Sequence, residues 1–422
     1  MGEVAIKPQN RKVVFAILAH DYEDVLASQI HNIRHFNNDA EIVLFNGGKN
    51  KRFGVNMGIP ICPYSRPLKY EFLGNFLFDV ARWLEEIDVK YEYLVNLDHD
   101  ILFVKSGFSS FLDETMAGFD CMGWALTVSH DPSEFSVFSS KAVPRMWKEW
   151  GRWQSFFELN HFLWVFNPGQ VYRRSIVQKI LSRINRPVLE KLLSSTTVTA
   201  MEEMLFVTMA RACGANIRGY PDDGLGAIGW GMDEIPWHKV ELAKLHPYYY
   251  WIHPIKGRNL IETAQRLREL DLQANPFEVR GDGCYQIINR QSGKALEVIG
   301  ESIDGGAEII QWSNGNKAHQ QWKIADAGAG WYHIINRRSG LVLEVKGQSV
   351  DPGAEAIQWW NTGGHNQQWY ISDSGSGYYL IVNRHSLKAL DVTGQAEYDG
   401  APVIQWDLHG RPNQQWSIIP VE

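Results

Sequence analysis

Between residues 284 and 419 the sequence repeats itself three times at a spacing of 47 residues. Asn289, Asn336 and Asn383 fall on that spacing, and so do Val298, Val345 and Val392. The pairs Gln311-Trp312, Gln358-Trp359 and Gln405-Trp406 follow it, as do Gln321-Trp322, Gln368-Trp369 and Gln415-Trp416. A unit this short, made of strands and turns, cannot bury its own apolar face, so three abutting copies must close around a shared core. A threefold, closed, all-β domain is thereby imposed on the last third of the chain.

Over residues 284–422 this domain resembles the ricin-B-type β-trefoil lectins. In that family each unit can bind a sugar with the Asp of an L-D-V segment, an aromatic ring and the Asn of an N-Q-x-W end. The resemblance implies that the third unit keeps the full set, Asp391, Trp406 and Asn413. The second has Glu344, Trp359 and Asn366, with an acid one methylene longer. The first has Glu297, Trp312 and His319, departs at two positions, and is expected to be weak or empty. Trp322, Trp369 and Trp416 are expected in the core.

At 422 residues the chain is too long for one ordinary core. We divide it into an α/β domain over 1–258, a helix and Pro/Gly-bearing linker over 259–283, and the trefoil. A net charge of −7 argues against a nucleic-acid partner. The four cysteines, Cys62, Cys121, Cys213 and Cys284, show neither a zinc spacing nor a disulfide framework, which suggests a reducing compartment. The first residues lack the pattern of a signal peptide, and no apolar run reaches the ~20 residues that span a bilayer. A cytoplasmic protein without a transmembrane segment is expected.

In the first domain, Val13 to Leu18, a helical pattern from Tyr22 to Phe36, and Glu41 to Phe45 compose a β-α-β unit suited to nucleotide binding. Tyr91 to Phe103 (YEYLVNLDHDILF) reads as a buried strand of a doubly wound parallel sheet, ending in Asp98-His99-Asp100. Ionised carboxylates do not sit unpaired in an apolar core, so these two meet solvent, a turn or a cation at the edge where α/β sheets bind ligands. Carboxylate oxygens suit Mn²⁺ or Mg²⁺. The triplet resembles the DXD motif of GT-A-fold, nucleotide-sugar-dependent glycosyltransferases. That resemblance implies Asp100 as metal ligand and Asp98 as the ribose or metal contact.

Further stretches fall in the same order as in that family. The loop His20-Asp21 after the first strand could hold the nucleotide or simply start a helix. Asn167 and Gly169, in Phe166-Asn167-Pro168-Gly169-Gln170, resemble a donor-binding Asn-x-Gly segment; a Pro-Gly turn would use the same residues. Glu202 and Glu203 open a helix read from Thr199 to Cys213. There they resemble the acidic pair of inverting enzymes, Glu203 first and Glu202 second as general base, or they cap the helix dipole. Residues 222–237 have the composition of a lid. His253 and Lys256, after an aromatic strand, resemble the His and Lys that complete the metal site and contact the diphosphate; His246 is the competing ligand.

The layout resembles that of polypeptide N-acetylgalactosaminyltransferases, although their Trp-Gly-Gly-Glu-Asn segment is missing and their metal motif is Asp-His-Asp here. The expectation is a metal-dependent hexosyl- or N-acetylhexosaminyltransferase using Mn²⁺ or Mg²⁺. It would move a sugar from a nucleotide-sugar, a UDP-sugar first, to a hydroxyl of a glycan or glycoconjugate held by the lectin. The alternatives are a carbohydrate-binding protein with a non-catalytic GT-A-like domain, and a nucleotidyltransferase.

Overall fold

The computed structural model describes residues 12–68, 73–135, 139–221, 237–246, 248–272, 277, 279, 283–328 and 330–421. Residues 222–236 of the expected lid at 222–237, and most of the linker, lie outside them. The chain forms two compact units, the first comprising 1–235 and 247–268 and the second 236–246 and 269–422.

The first unit is built on a six-stranded sheet. Its strands are β1 (Val13–Ala19), β2 (Glu41–Asn46), β3 (Tyr93–Asp98), β5 (Cys121–Ser129), β6 (Phe162–Arg173) and β7 (Ile217–Gly219). The order is β2-β1-β3-β6-β5-β7. Every residue of β1 is buried, as a strand covered on both faces requires. Helix α1 (Glu23–Phe36) returns the chain from β1 to β2. Its acids Glu23 and Asp24 lie in the first turn and Arg34 and His35 in the last, each at the end of the dipole that favours it.

The sheet is mixed, which corrects the doubly wound parallel reading. β1 runs parallel to β2 and β3, but β3 pairs antiparallel with β6, and β6 with β5. Asn167 to Gln170 lie inside β6, so they form no turn: residues Phe162 to Tyr172 are all buried. The helix expected from Thr199 also breaks. Met201–Glu203 make a separate 3₁₀ turn, and the α-helix begins only at Leu205. A small antiparallel pair lies outside the sheet, β4 (Leu102–Phe103) on β8 (Trp251–Ile252), with Leu102 opposite Ile252 and Phe103 opposite Trp251.

The second unit contains a closed twelve-stranded sheet. Its first strand, Cys284–Asn289, pairs antiparallel with its last, Gln415–Pro420. The recurring residues have assigned tasks. Trp322, Trp369 and Trp416 fill the axis, and their indole N–H groups donate to the carbonyls of Leu296, Leu343 and Leu390 at 2.9, 2.9 and 3.1 Å. Buried Asn289, Asn336 and Asn383 donate through Nδ2 to the carbonyls of Asn413, His319 and Asn366 at 3.0, 3.0 and 2.9 Å. Each repeat is thus clasped to the one before it in the ring. Three copies are needed because the partner of each clasp belongs to another copy.

Phe277 enters this unit from ahead of the first strand. Its ring lies against the threefold-related Tyr285, Tyr332 and Tyr379, with centroids 5.7, 5.7 and 5.5 Å away. Its carbonyl accepts a hydrogen bond from the Tyr332 hydroxyl at 3.0 Å. Phe277→Ala would leave a cavity that three rings cannot close together. It is expected to lower trefoil stability by about 3 kcal/mol, measured as a shift in the urea midpoint of the full chain.

Candidate functional site

Asp98 stands at the carboxyl end of β3, where the apolar run stops and side chains can leave the core. Asp100 follows in the loop that leads to β4. Pairing of β4 with β8 then delivers His253, and the backbone N–H of Ile255 donates to the Asp100 carbonyl at 2.9 Å. One donor atom from each of Asp98, Asp100 and His253 lies within 4.8 Å of the others. His253 Nε2 is 3.2 Å from Asp100 Oδ1, with both side chains largely buried. Two carboxylates and one imidazole form a donor set suited to a hard or borderline divalent cation.

The electrostatics fit the same cation. Burial, and then the charge of Asp100, push the Asp98 carboxyl up to about 6. Burial raises Asp100 too, but facing His253 outweighs it and holds that carboxyl below its usual range. Burial lowers His253, and Asp100 overrides this, leaving the imidazole more basic than usual. The lone pairs of these three groups converge, and a divalent cation there would compete with protons for them.

The sign of the pH dependence follows. Because folding raises the Asp98 pKa, its contribution to metal-free stability is complete below the ordinary carboxylate value and is lost as pH rises through about 6. Cation binding runs the other way, since it needs the carboxylate ionised. Apparent Mn²⁺ affinity, read by titration calorimetry, is expected to fall as pH drops, first as the His253 imidazole takes up a proton and then more steeply as Asp98 protonates through about 6.

Asn167 joins this cluster to the acidic pair. Its side-chain Nδ2 donates to both oxygens of Asp98, at 3.1 and 3.2 Å, and its backbone N–H to Glu203 Oε1 at 3.4 Å. The other Glu203 oxygen accepts from the Trp164 indole at 2.8 Å. Burial, then neighbouring Glu202, raise the Glu203 carboxyl well above its usual range. The Glu202 carbonyl accepts from the Gln170 amide at 3.0 Å. Asn96 supports the hub from β3: its Nδ2 donates to Asn167 Oδ1, and its Oδ1 accepts from Gln170 N at 2.7 Å.

The remaining expected donor residues are placed unevenly. His20 is exposed at the end of β1, its ring 5.6 Å from His99, and its Nε2 is 3.6 Å from Asp21 Oδ2. Lys256 lies close enough to act on the charges of Asp100 and His253. Gly169 has no open face: a Cβ there would collide with the Trp251 ring, and its carbonyl accepts from the Tyr220 hydroxyl at 2.8 Å. Its φ of 86° and that close approach explain the glycine without a ligand. His246, the rival ligand, belongs to the second unit. Sequence reading missed Asn96, Trp164 and Gln170, which carry no motif of their own.

Each trefoil repeat presents an acid beside an exposed indole. Trp312, Trp359 and Trp406 are 43%, 36% and 42% exposed, whereas Trp322, Trp369 and Trp416 are fully buried. In the third repeat, Asn413 and Gln414 each donate to Asp391 Oδ2 at 2.9 Å, and burial pushes that carboxyl up to about 6. In the second, Gln367 donates to Glu344 Oε2 at 2.5 Å, and Asn366 donates to the Val345 carbonyl at 3.2 Å. In the first, Gln320 donates to Glu297 at 2.6 Å, and His319 lies buried between Glu297 and Glu301, 3.6 and 3.8 Å away. The glutamines at 320, 367 and 414 hold the acids without belonging to the expected sugar-binding set, although they too recur at the repeat spacing.

The profile of the ricin-type beta-trefoil lectin domain-like family matches residues 273–359 and 365–422. No curated protein matches. Among solved structures, the designed threefold-symmetric protein ThreeFoil is 46% identical over 33% of this chain and 100% of its own, with a TM-score of 0.33. The exo-β-1,3-galactanase of Clostridium thermocellum is 38% identical over 34% of this chain and 31% of its own, with a TM-score of 0.33. A Macrolepiota procera ricin B-like lectin, solved with lactose, is 21% identical over 34% of this chain and 100% of its own, with a TM-score of 0.31. No helix among the described residues is long and apolar enough to cross a membrane.

Proposed function

We propose, from the premise that its C-terminal region belongs to the ricin-type β-trefoil lectin domain family, that the chain is a metal-dependent glycosyltransferase whose trefoil holds a carbohydrate acceptor. The trefoil supplies glycan binding through Asp391, Trp406 and Asn413, and through Glu344, Trp359 and Asn366. The first unit supplies the chemistry on a GT-A-like sheet.

The observation that carries this reading is Asn167. One residue holds Asp98 with its side chain and Glu203 with its backbone, so a cation site and a candidate base share one wall. Asp98, Asp100 and His253 would hold Mn²⁺ or Mg²⁺, and that cation, when bound, supplies the charge that neutralises a diphosphate leaving group. Lys256 adds a second positive charge beside it. Glu203, steered by the Trp164 indole and the Asn167 amide, takes the proton of the acceptor hydroxyl as that oxygen attacks the anomeric carbon of a nucleotide-sugar. A base raised by burial is the stronger for it once ionised. Holding acceptor glycan on the same chain raises its effective concentration.

The test is product analysis of the full chain with Mn²⁺, a glycan acceptor, and UDP-, GDP- or CDP-sugars. Glycosylated acceptor and free nucleoside diphosphate are expected. Pyrophosphate release would mark a nucleotidyltransferase, and sugar binding without turnover a lectin with a silent first domain.

A further inference from the structure

The three trefoil subsites differ at a position outside the sugar-binding set. The glutamine that holds each acid also donates, through the same nitrogen, to the carbonyl of the residue after the exposed tryptophan. Gln320 reaches Ser313 O at 3.0 Å, Gln367 reaches Trp360 O at 2.8 Å, and Gln414 reaches Asp407 O at 2.9 Å. This position is therefore tied to the subsite wall in every repeat, while its side chain changes from Ser to Trp to Asp. Ser313 is bonded to Asp399, and Asp407 is paired with Lys388 at 2.6 Å. Trp360 instead leaves its ring 57% exposed.

That ring stands 4.9 Å from Trp359 at an interplanar angle of 80°. Two perpendicular indoles cannot stack on the same face of one pyranose. They form a corner with one platform on each wall. The corner depends on Gly305, where a Cβ would collide with the Trp360 ring. The corresponding places in the other repeats hold Pro352 and Asp399. An exposed indole beside a carbohydrate platform suits the apolar face of another sugar ring.

We propose that the second repeat is an extended subsite that takes a disaccharide unit, with one ring on Trp359 beside Glu344 and the next on Trp360. The third repeat takes a single ring. This assignment rests on the carbohydrate-binding reading of the trefoil and adds to it a length preference confined to one repeat.

The experiment uses the full chain carrying Trp312→Ala and Trp406→Ala, so that only the second platform remains. Galactose, N-acetylgalactosamine and lactose are titrated by calorimetry. Lactose is expected to bind more tightly than either monosaccharide. Adding Trp360→Ala should weaken lactose about tenfold while leaving the monosaccharides within about twofold. Gly305→Ala, which displaces the ring without removing it, should give the same selective loss and guards against a misfolded tryptophan variant. Equal weakening of mono- and disaccharide, or no change in either, overturns the extended subsite. Failure of the unmodified chain to bind any of the three sugars overturns the carbohydrate reading itself.

Discussion

Glu203→Gln is expected to lower the transfer rate by between about 10² and 10⁴, the range removed when a positioned general base is lost. The amide keeps the shape of the side chain, and its oxygen can still accept from the Trp164 indole that now meets Oε2 at 2.8 Å. Donor affinity should therefore stay within a few-fold while kcat falls. The pH profile separates a base from a structural acid. Burial raises the Glu203 carboxyl, so the unmodified chain should gain rate as pH rises and that carboxyl ionises. The Gln variant should lose this acid limb. A Gln variant with full rate and an unchanged profile would remove Glu203 from the mechanism.

Asp100→Asn is expected to be as damaging by a different route. Asp100 carries the charge that overrides burial at His253, and its Oδ1 lies 3.2 Å from the imidazole. Without it the donor set has one charge fewer and His253 loses its counter-ion. At Mn²⁺ a hundredfold above its dissociation constant, the unmodified chain should gain about 2.7 kcal/mol of stability, seen as a raised melting point. The Asn variant should gain almost none, and its transfer rate should fall roughly 10³-fold, the several kcal/mol a Lewis acid supplies. Retention of the Mn²⁺ shift in Asp100→Asn would move the cation elsewhere.

The parts of this architecture that can be read from the chain are those enforced by periodicity or by the cost of burying charge. The trefoil is legible because residues such as Asn289, Asn336 and Asn383 must recur if each copy is to grip another. Asp98 and Asp100 are legible because an apolar run cannot end in two carboxylates without a reason. What stays hidden depends on pairings that leave no period. His253 meets Asp100 through two strands of two residues each, β4 and β8, too short for any alternation to show. Asn167 looks like part of a Pro-Gly turn, because nothing local reveals that β3 will lie antiparallel beside its strand. Glu202 and Glu203 look like the start of a helix for a similar reason. The 3₁₀ turn that lifts them out of α-geometry sits against β6, through the Glu203 bonds to Trp164 and Asn167. The glycine at 169 is a true local signal, but it answers to Trp251, a ring 82 positions away.

The Phe277 ring has a practical corollary for anyone who excises the lectin. A fragment started at Cys284, where the strands begin, would omit the side chain around which Tyr285, Tyr332 and Tyr379 gather. Such a fragment would leave those three rings without the side chain they pack against and is expected to melt below one that keeps it. Starting a few residues ahead of Phe277 keeps the cork in the bottle.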